Sequence, residues 1–452
     1  MSRDGDRFSE IAALMRADGL PEAAISAFGR HHAQLVAGET GLIPEAALSP
    51  VDGLPDAEQL GEAEATVGRA HLHEAVIIKL NGGLGTSMGL SRAKSLLPVK
   101  QGRSFLELIA HQSRTAGCPL VLMNSFSTQT DSLALLDGLA PLPGDLPRDF
   151  LQHRVPKLDQ ETLRPVAWPD PALRWCPPGH GDLFNALVTR GVLARLRSAG
   201  IRYAFVSNAD NLGATLDPRI LGAFVGQGLP FLMEVADRTE ADRKGGHLAR
   251  QGGRLILRES AQCPPEDAAR FQDVTRHRYF NTNNLWIDLV ALEALLTEHG
   301  GALALPLIRN GKTVDPRDSG STPVYQLESA MGAAIGLFEG AGALRVPRTR
   351  FSPVKTAADL LRVRSDATRL TDDGRVVPTT AQPPLVSLDA RFYKQVADLD
   401  ARFPAGPPSL QSCRSLCIEG DWTFGAGVVV RGDVRLATDS PQRVPDGAVL
   451  EG

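Results

Sequence analysis

Several features are scarce in this sequence of 452 residues, and each scarcity excludes a class of protein. Its five cysteines are odd in number and mostly isolated, which argues against a disulfide framework. Cys413 and Cys417 lack a second pair of ligands that would complete a zinc site. Positive charge is not in surplus either, because the net charge is −4. The chain therefore lacks the excess of lysine and arginine that general nucleic-acid binding requires.

Long apolar runs are also missing. The first residues, MSRDGDR, contain no apolar core of the kind found in signal peptides, and no later stretch is long enough to span a bilayer. We therefore expect a cytoplasmic protein without a membrane segment. Apolar residues make up 43% and charged residues 22% of the chain, as in ordinary globular proteins. The length corresponds to about three domains of roughly 150 residues each.

The most informative stretch is residues 76–89, VIIKLNGGLGTSMG, which is soon followed by Lys94. Its β-branched apolar start predicts a buried strand. The glycines that follow predict a tight turn whose backbone N–H groups can hold phosphate oxygens, with Lys94 adding a positive charge. A strand-to-helix turn without function can have the same glycine pattern, so the stretch alone does not distinguish the two.

Two other nucleotide-binding motifs fit this stretch poorly. A P-loop requires Gly-Lys followed by Ser or Thr, and no glycine in the stretch precedes a lysine. A dinucleotide-binding fingerprint needs glycine where Met88 stands and an acidic residue at the end of the next strand. That strand, predicted at residues 119–123, is followed by Asn124. A dinucleotide-dependent oxidoreductase is therefore the weaker hypothesis.

Apolar runs alternate with helical patterns along the middle of the chain. Strands are predicted at residues 119–123, 203–207 and 230–235, and helices at 105–116, 182–199 and 218–227. Ser104 and Glu107 have the spacing of a capping box for the first helix, and Asp182 is placed to cap the second. Residues 326–335 are predicted to form a packed helix without chemistry. This alternation predicts an α/β fold with a largely parallel sheet covered by helices on both faces. Ligands of such sheets bind beyond the carboxyl ends of the strands. Asn81, Asn124 and Asp210 are therefore expected at one edge.

Three segments resemble those of a known family. The loop at residues 79–89 with Lys94 is similar to the nucleotide-binding loop of the eukaryotic-type UTP–glucose-1-phosphate uridylyltransferases, also called UDP-glucose pyrophosphorylases. Residues 177–182 match the family's Pro-Pro-Gly-His-Gly-Asp, and residues 350–356 match its Arg-Phe-x-Pro-Val-Lys-Thr. The resemblance runs in unbroken order from about Val76 to the C-terminus. It implies a Rossmann-like mixed sheet of the nucleotidyltransferase type and a small C-terminal left-handed β-helix.

The resemblance implies roles for individual residues. The residues implied to bind UTP are Leu80, Asn81, Gly82, Gly83, Lys94, Gln152, Gly179, Asp210 and Lys355. The residues implied to bind the sugar phosphate are His180, Asn208, Gly246, Asn281 and Asn283. Lys94 and Lys355 are implied to be catalytic, and Asp210 to be the ligand of Mg²⁺.

These residue types suit the implied roles. A carboxylate directly after a buried strand, as at Asp210, supplies the oxygen ligand that Mg²⁺ prefers. The alternative for that segment is an Asx turn that ends at Gly213. Amides both donate and accept hydrogen bonds, which suits Asn281 and Asn283 to hexose hydroxyl groups and Gln152 to the edge of a pyrimidine.

The ends of the chain differ from its middle. Helical spacing predicts two helices within residues 8–37, and the proline-broken segment 38–74 is expected to pack over the surface without chemistry. Gly-Asp repeats at residues 418–434 predict a few coils of a β-helix after a linker. We therefore predict an N-terminal helical segment and strap at 1–70, a nucleotidyltransferase domain at 71–384 and a β-helix domain at 385–452.

The resemblance implies that the chain makes UDP-glucose and pyrophosphate from UTP and glucose 1-phosphate by in-line attack on the UTP α-phosphorus. Glucose is favoured over N-acetylglucosamine, because relatives that use N-acetylated sugars usually have arginine where Ser87 stands. Two alternatives stay open: another hexose 1-phosphate such as galactose 1-phosphate, and a noncatalytic protein that binds nucleotide sugars. Neither nucleic acid nor a membrane is expected as a partner, and the oligomeric state stays open.

Overall fold

The computed structural model describes the backbone of residues 3–452 and the side chains of residues 8–452, so the first two residues of the predicted N-terminal segment lie outside the described part. The α-helices are α1 Arg3–Ala17, α2 Glu22–Val36, α3 Glu62–Ala70, α4 Phe105–Ala116, α5 Gln129–Asp137, α6 Asp182–Thr189, α7 Val192–Ser198, α8 Pro218–Gly226, α9 Ala268–Phe271, α10 Leu289–Glu298, α11 Ala357–Arg364, α12 Ala390–Tyr393 and α13 Val396–Arg402.

The strands before residue 300 are β1 Ala75–Asn81, β2 Pro98–Lys100, β3 Arg103–Ser104, β4 Leu120–Asn124, β5 Asp149–Leu151, β6 Val155–Pro156, β7 Leu158–Asp159, β8 Trp175–Cys176, β9 Tyr203–Asn208, β10 Phe231–Asp237, β11 His247–Gln251, β12 Arg254–Arg258 and β13 Tyr279–Asp288. The later strands are β14 Ile308–Thr313, β15 Pro323–Glu328, β16 Gly342–Arg345, β17 Thr368–Leu370, β18 Val376–Pro378, β19 Leu385–Leu388, β20 Ser409–Glu419, β21 Trp422–Phe424, β22 Val429–Ala437, β23 Gln442–Val444 and β24 Val449–Glu451.

The central sheet is mixed and has nine strands. Strands β5, β4, β1 and β9 are parallel neighbours. Beyond β9 the long strand β13 runs antiparallel to β9, β10 and β11, and β10 pairs in parallel with β16. Successive side chains of β1 enter opposite cores, Ile77 on one face and Val76 and Ile78 on the other. This double burial explains why β1 is apolar without alternation, and the predicted mixed α/β fold is confirmed.

Most elements predicted for the middle of the chain are present. The predicted strands correspond to β4, β9 and β10, and two of the predicted helices correspond to α4 and α8. Ser104 and Glu107 form a capping box at the start of α4. The single helix predicted at residues 182–199 is wrong. Gly191 adopts a left-handed backbone with φ 68°, which separates α6 from α7.

The N-terminal part contains the two predicted helices. Helices α1 and α2 pack through Ile11, Met15 and Phe28 in one small apolar core with residues of β6, β7 and β15. The segment that follows crosses the surface as expected, but a buried carboxylate anchors it. Glu45 accepts hydrogen bonds at 2.7 Å from both Arg258 and Arg276. The strap is therefore held by buried charge as well as by apolar packing.

Helix α3, which the sequence did not predict, lies at the end of the strap. It packs on α8 at two glycines, Gly68 and Gly222. A Cβ atom on Gly222 would lie 1.8 Å from the carbonyl oxygen of Glu64, so the two backbones approach too closely for a side chain. This contact fixes the start of α8 and with it the end of the loop after β9.

The C-terminal part is built mainly from strands that pair in parallel. Strand β22 pairs in parallel with β20 and β24, so that Ser409 lies beside Val429 and Val429 beside Val449. Strands β21 and β23 also pair in parallel. The β-helix predicted from the Gly-Asp repeats, with its handedness, stays a prediction. Side chains of these strands, such as Phe424 and Val430, belong to the same apolar core as Ile77 of β1.

No α-helix of the described part is both long and apolar enough to traverse a bilayer.

Candidate active site

The glycine loop after β1 turns back onto Lys94, as predicted. The Lys94 N–H donates to the Gly83 carbonyl oxygen at 3.1 Å. Gly85 has φ 68°, a left-handed conformation that favours glycine. A Cβ atom on Gly83 would have no atom of the described residues within 4 Å, so the loop backbone is open there. An anionic group can therefore approach this backbone closely.

Lys94 and Asp210 form an ion pair at the carboxyl edge of the sheet. Lys94 Nζ lies 2.7 Å from Asp210 Oδ2, and the side chains are only 15% and 22% exposed. The two residues follow the adjacent parallel strands β1 and β9, which is why they meet. Asp210 Oδ1 has no hydrogen-bond partner among the described residues, so it is free to bind a cation.

The residues around Asp210 fit magnesium better than zinc. Among residues 8–452, whose side chains the structure describes, there is no cluster of three or more histidine, cysteine, aspartate or glutamate side chains that could hold a metal ion. Magnesium needs no such cluster, because it is commonly held by one or two carboxylates, with waters and substrate phosphates as further ligands. A single carboxylate with one free oxygen therefore fits this ion.

The segment that carries Lys355 is tied to the loop after β9. The Val354 N–H donates to the Asp210 carbonyl oxygen at 3.2 Å, and the Ser352 N–H donates to Asn211 Oδ1 at 2.9 Å. Lys355 follows directly, is exposed and lines a cavity of about 700 Å³. The structure thus brings both predicted lysines to the neighbourhood of Asp210.

The same cavity contains three of the residues predicted to bind the sugar phosphate, Gly246, Asn281 and Asn283. The Asn281 N–H donates to the Gly246 carbonyl oxygen at 3.3 Å, and Asn281 Nδ2 donates to Asn283 Oδ1 at 2.8 Å. Asn283 has φ 58°, a left-handed conformation in which asparagine is enriched. Predicted Asn208 lies at the end of β9, opposite predicted Leu80 of β1.

Glu259 lines this cavity as well, and the sequence did not indicate it. A Cβ atom on Gly246 would lie 2.5 Å from Glu259 Oε2, so the carboxyl group packs on that glycine. Burial raises the pKa of the Glu259 carboxyl, and the positive charge of Lys355 acts in the opposite direction. Glu259 and Gly246 flank the open end of the β11–β12 hairpin, so only strand pairing brings them together.

Gln152 lies against the glycine loop. A Cβ atom on Gly82 would lie 2.7 Å from Gln152 Nε2, so the amide group fits only because residue 82 is glycine. The Gln152 N–H donates to the Asn124 carbonyl oxygen at 2.8 Å, which continues the parallel pairing of β4 and β5. The amide and the loop backbone therefore form one continuous surface.

The Asn81 side chain is committed to the protein interior. Its Nδ2 donates to Asn124 Oδ1 at 2.7 Å and to Ser132 Oγ at 2.8 Å, and the residue is buried. These bonds fix the last residue of β1, from which the glycine loop starts.

The Gly179–His180 pair packs on residues 329–331. Gly179 has φ 79°, and a Cβ atom there would lie 2.4 Å from the Ser329 carbonyl oxygen. The Met331 N–H donates to His180 Nδ1 at 3.0 Å, and burial lowers the pKa of His180 to about 4. The ring is therefore neutral near pH 7 and carries its proton on Nε2, which makes Nε2 a hydrogen-bond donor.

Two sequence predictions around this loop are wrong. Residues 326–335 do not form a packed helix, because they comprise the end of β15 and a short 3-10 helix. Asp182 does not cap α6, whose N-cap is Gly181. The Asp182 carboxylate instead accepts the His153 N–H at 2.6 Å and lies 2.8 Å from His153 Nδ1. This buried pair links the His180 loop to the residue after Gln152.

We expect His180 to lower the stability of the fold at acid pH. Its pKa is about 4 in the folded chain and about 6.5 without the burial, so the unfolded state binds more protons between these values. The free energy of unfolding should fall as the pH drops from about 6.5 towards 4. Denaturant unfolding measures the free energy of unfolding at pH 7 and at pH 5. Its decrease between these two pH values should be smaller for His180→Gln than for the wild type. An equal loss in both proteins would contradict this assignment.

Comparison with known proteins shows the family to which this chain belongs. The family model that matches residues 28–431 describes UTP–glucose-1-phosphate uridylyltransferase. The chain is 41% identical over 393 residues to the protein of that name from Solanum tuberosum, which covers 84% of this chain and 80% of the relative. It is 40% identical over 394 residues to the one from Saccharomyces cerevisiae, covering 84% of this chain and 78% of the relative.

Solved structures agree over nearly the whole chain. A structure of the UDP-glucose pyrophosphorylase from Leishmania major, known in open and closed forms, is 44% identical with a TM-score of 0.92, and the match covers 99% of this chain and 98% of that chain. A variant of the same enzyme in complex with UDP-glucose is 43% identical with a TM-score of 0.90 and 98% coverage of both chains. The chain therefore belongs to the UTP–glucose-1-phosphate uridylyltransferase family.

Proposed function

We propose that this chain makes UDP-glucose and pyrophosphate from UTP and glucose 1-phosphate. The observation that carries the proposal is the Lys94–Asp210 ion pair at the edge of the sheet, between an open glycine loop and the cavity lined by Lys355. A protein that only bound a nucleotide sugar would need the loop but no pair of lysines around a carboxylate. Its relatives at about 40% identity carry the uridylyltransferase name.

The nucleotide end of the site is formed by the glycine loop and Gln152. The backbone of Leu80, Gly82 and Gly83 would receive UTP, with the Gln152 amide at the edge of the uracil ring. The contact between Gly82 and Gln152 supports this proposal, because it joins the amide to the loop without a gap. The buried Asn81 side chain would act by holding the loop in shape.

The sugar end of the site is the cavity with Gly246, Asn281 and Asn283 in its wall. Asn208 would contact the sugar phosphate at the end of β9. We assign Gly179 and the neutral His180 ring to the junction of the two ends, where Nε2–H would donate to a substrate oxygen; the Met331 N–H bond to Nδ1 supports this tautomer. A protonated His180 is not required, because the lysines supply the positive charge.

The reaction needs no acid or base. A phosphate oxygen of glucose 1-phosphate forms a bond to the α-phosphorus of UTP, and the bond from that phosphorus to the β-phosphate oxygen breaks. The electron pair leaves with pyrophosphate, so no proton moves. Lys94 holds the leaving pyrophosphate, and Lys355 draws the two anionic substrates together.

Asp210 would hold Mg²⁺ through its free Oδ1. When bound, the ion would neutralise charge on the substrate phosphates. Before substrates arrive, Lys94 balances this carboxylate at 2.7 Å. Phosphate oxygens would compete with Asp210 for Lys94, which couples binding of UTP to release of the carboxylate.

We also propose the predicted division of the chain into residues 1–70, 71–384 and 385–452, and a left-handed twist for the C-terminal coils. The parallel pairing of β20, β22 and β24 supports the coils.

The direct test is to incubate the protein with UTP, Mg²⁺ and one sugar 1-phosphate at a time while measuring pyrophosphate. We expect the highest rate with glucose 1-phosphate. A higher rate with galactose 1-phosphate or N-acetylglucosamine 1-phosphate would change the substrate assignment. Absence of pyrophosphate with every sugar would reject the transferase in favour of a noncatalytic binding protein.

Glu259→Gln should weaken binding of the sugar substrate and leave binding of the nucleotide almost unchanged. The half-buried carboxyl lies in the proposed sugar cavity beside Gly246, where it can bind hexose hydroxyl groups, and an amide replaces one acceptor by a donor. We expect the KM for glucose 1-phosphate to rise about tenfold, the effect of one hydrogen bond to a charged group.

Steady-state kinetics with each substrate varied in turn measures this change. The exposed Glu266 lies outside the cavity and provides the matched control, Glu266→Gln. An equal rise in the KM for UTP would place Glu259 in a general structural role instead.

A further inference from the structure

A second cavity, of about 670 Å³, lies next to the substrate cavity. None of the residues assigned above to UTP, the sugar phosphate or magnesium lines it. The two cavities share Thr349 and Val376 in their walls. Volumes of this size are typical of sites for small organic ligands.

Most of this second cavity is apolar. Its walls include Ile77 of β1, Ile109 and Ala116 of α4, Leu216 after β9 and Val376 of β18. The rim carries arginines that already have partners: Arg219 is paired with Asp217, and Arg375 with Asp373. The cavity therefore suits a ligand with an apolar body.

Two buried cations, Lys79 and Arg350, also line the cavity, and they are only 1% and 8% exposed. Arg350 donates from Nε and Nη2 to Glu234, but its Nη1 has no hydrogen-bond partner among the side chains described, those of residues 8–452. Lys79 Nζ donates to Ser207 Oγ and to the Ala214 carbonyl oxygen, both at 2.7 Å and both uncharged. Neither cation is fully satisfied by its own partners.

The carboxylates near these two residues already have hydrogen-bond or ion-pair partners. The Glu234 carboxylate accepts from Arg350 and also from Asn284 and Trp286. Burial, followed by the charge of Arg350, lowers the pKa of Lys79 to about 7. Asp210 and Asp217 act on these cations from further away, and each is paired with another cation. Lys79 is therefore only partly protonated near pH 7, and an anionic group in the cavity would favour its charged form.

The two cations also hold the loop that follows β9. Lys79 bonds Ser207 and Ala214, which stand on either side of Asp210 in the chain. Arg350 Nη2 donates to the Thr215 carbonyl oxygen at 2.9 Å. An anion that engages Lys79 or Arg350 would therefore alter the support of the loop that carries Asp210.

We propose that this second cavity binds a small organic anion with an apolar body, of the aryl carboxylate type, and that its binding changes the rate of uridylyl transfer. The change in rate rests on the function proposed above, whereas binding of the anion does not. The carboxylate would lie beside Arg350 and Lys79, and the aryl group between Ile109 and Val376.

The test is calorimetric titration of the full chain with 1-naphthoate and with 1-naphthamide, which has the same aryl body without the charge. We expect 1-naphthoate to bind at least about tenfold more tightly, because one charge-assisted hydrogen bond is worth that factor. Ala116→Trp should abolish binding by filling the cavity. Thr115→Trp, at an exposed position of the rim, should weaken binding without altering the core.

Ala134→Trp is the matched control, because this residue is exposed on α5 and lines neither cavity. Binding should persist in the control and in the presence of saturating UDP-glucose. In the wild type and the control, 1-naphthoate should change the rate of pyrophosphate formation at least about twofold, and in Ala116→Trp it should not.

Four results would overturn the proposal: no binding of 1-naphthoate, equal binding of the amide, unchanged binding in both cavity variants, or complete displacement by UDP-glucose. Binding with the expected variant pattern but without any transferase activity would uphold the site and reject only the function on which the change in rate depends.

Discussion

Lys355→Ala should lower kcat for UDP-glucose formation by about 100-fold, which corresponds to about 3 kcal/mol for loss of one preorganised charge. Lys355 lines the cavity that contains the predicted sugar-binding amides, and the preceding Val354 is hydrogen-bonded to the Asp210 backbone. The lysine is therefore held where two anionic substrates must approach each other. Its charge is most valuable when the α-phosphorus carries both the incoming and the leaving oxygen, so kcat should fall more than the KM values rise.

Pyrophosphate release under saturating substrates measures this effect. Lys394→Ala, a change at an exposed lysine outside both cavities, should leave kcat unchanged. Because Lys355 is exposed, its replacement should not lower the free energy of unfolding appreciably. Near-normal turnover of Lys355→Ala would contradict the proposed role.

Asp210→Asn should have an effect of comparable size, a fall in kcat of about 100- to 1,000-fold. The variant removes the negative charge that balances Lys94 at 2.7 Å and that would hold magnesium. The amide has nearly the same shape, and the backbone hydrogen bond from Val354 to residue 210 does not depend on the side chain. The loss should therefore come from charge rather than from a displaced loop.

Magnesium titration separates the two uses of this carboxylate. If Asp210 holds the ion, the concentration of Mg²⁺ that gives half-maximal rate should rise at least about tenfold in Asp210→Asn. Asp145→Asn, at an exposed position, is the control. An unchanged magnesium requirement with a reduced kcat would leave Asp210 as the partner of Lys94 alone.

Local patterns were sufficient to predict the elements that bear the proposed substrate loops. The apolar run and glycines of residues 76–89 predicted β1 and its turn, and Ser104 with Glu107 predicted the start of α4. Such signals lie within a few residues of one another, where backbone conformation depends on steric preference and local hydrogen bonds. Alternation of strands and helices also placed Asp210 at the same edge as the glycine loop.

Predictions failed where a distant partner competed with a local one. Asp182 has the residue type and position expected of a helix cap. Its carboxylate instead bonds the backbone N–H and the ring of His153, which is distant in sequence. The helix predicted across Gly191 broke because glycine there adopts a left-handed conformation. No local pattern indicated Glu259, because its proposed role depends on its contact with Gly246 across the β11–β12 hairpin.

The amino-acid order was thus enough to predict the α/β class and the family, because those features depend on short contiguous motifs. The folded chain was needed to pair Lys94 with Asp210, to assign the His180 proton to Nε2 and to reveal a second cavity beside Lys79 and Arg350. Those properties depend on burial, and on contacts between residues that are more than 100 positions apart, such as Lys79 and Ser207. Neither burial nor such contacts are encoded in any local pattern.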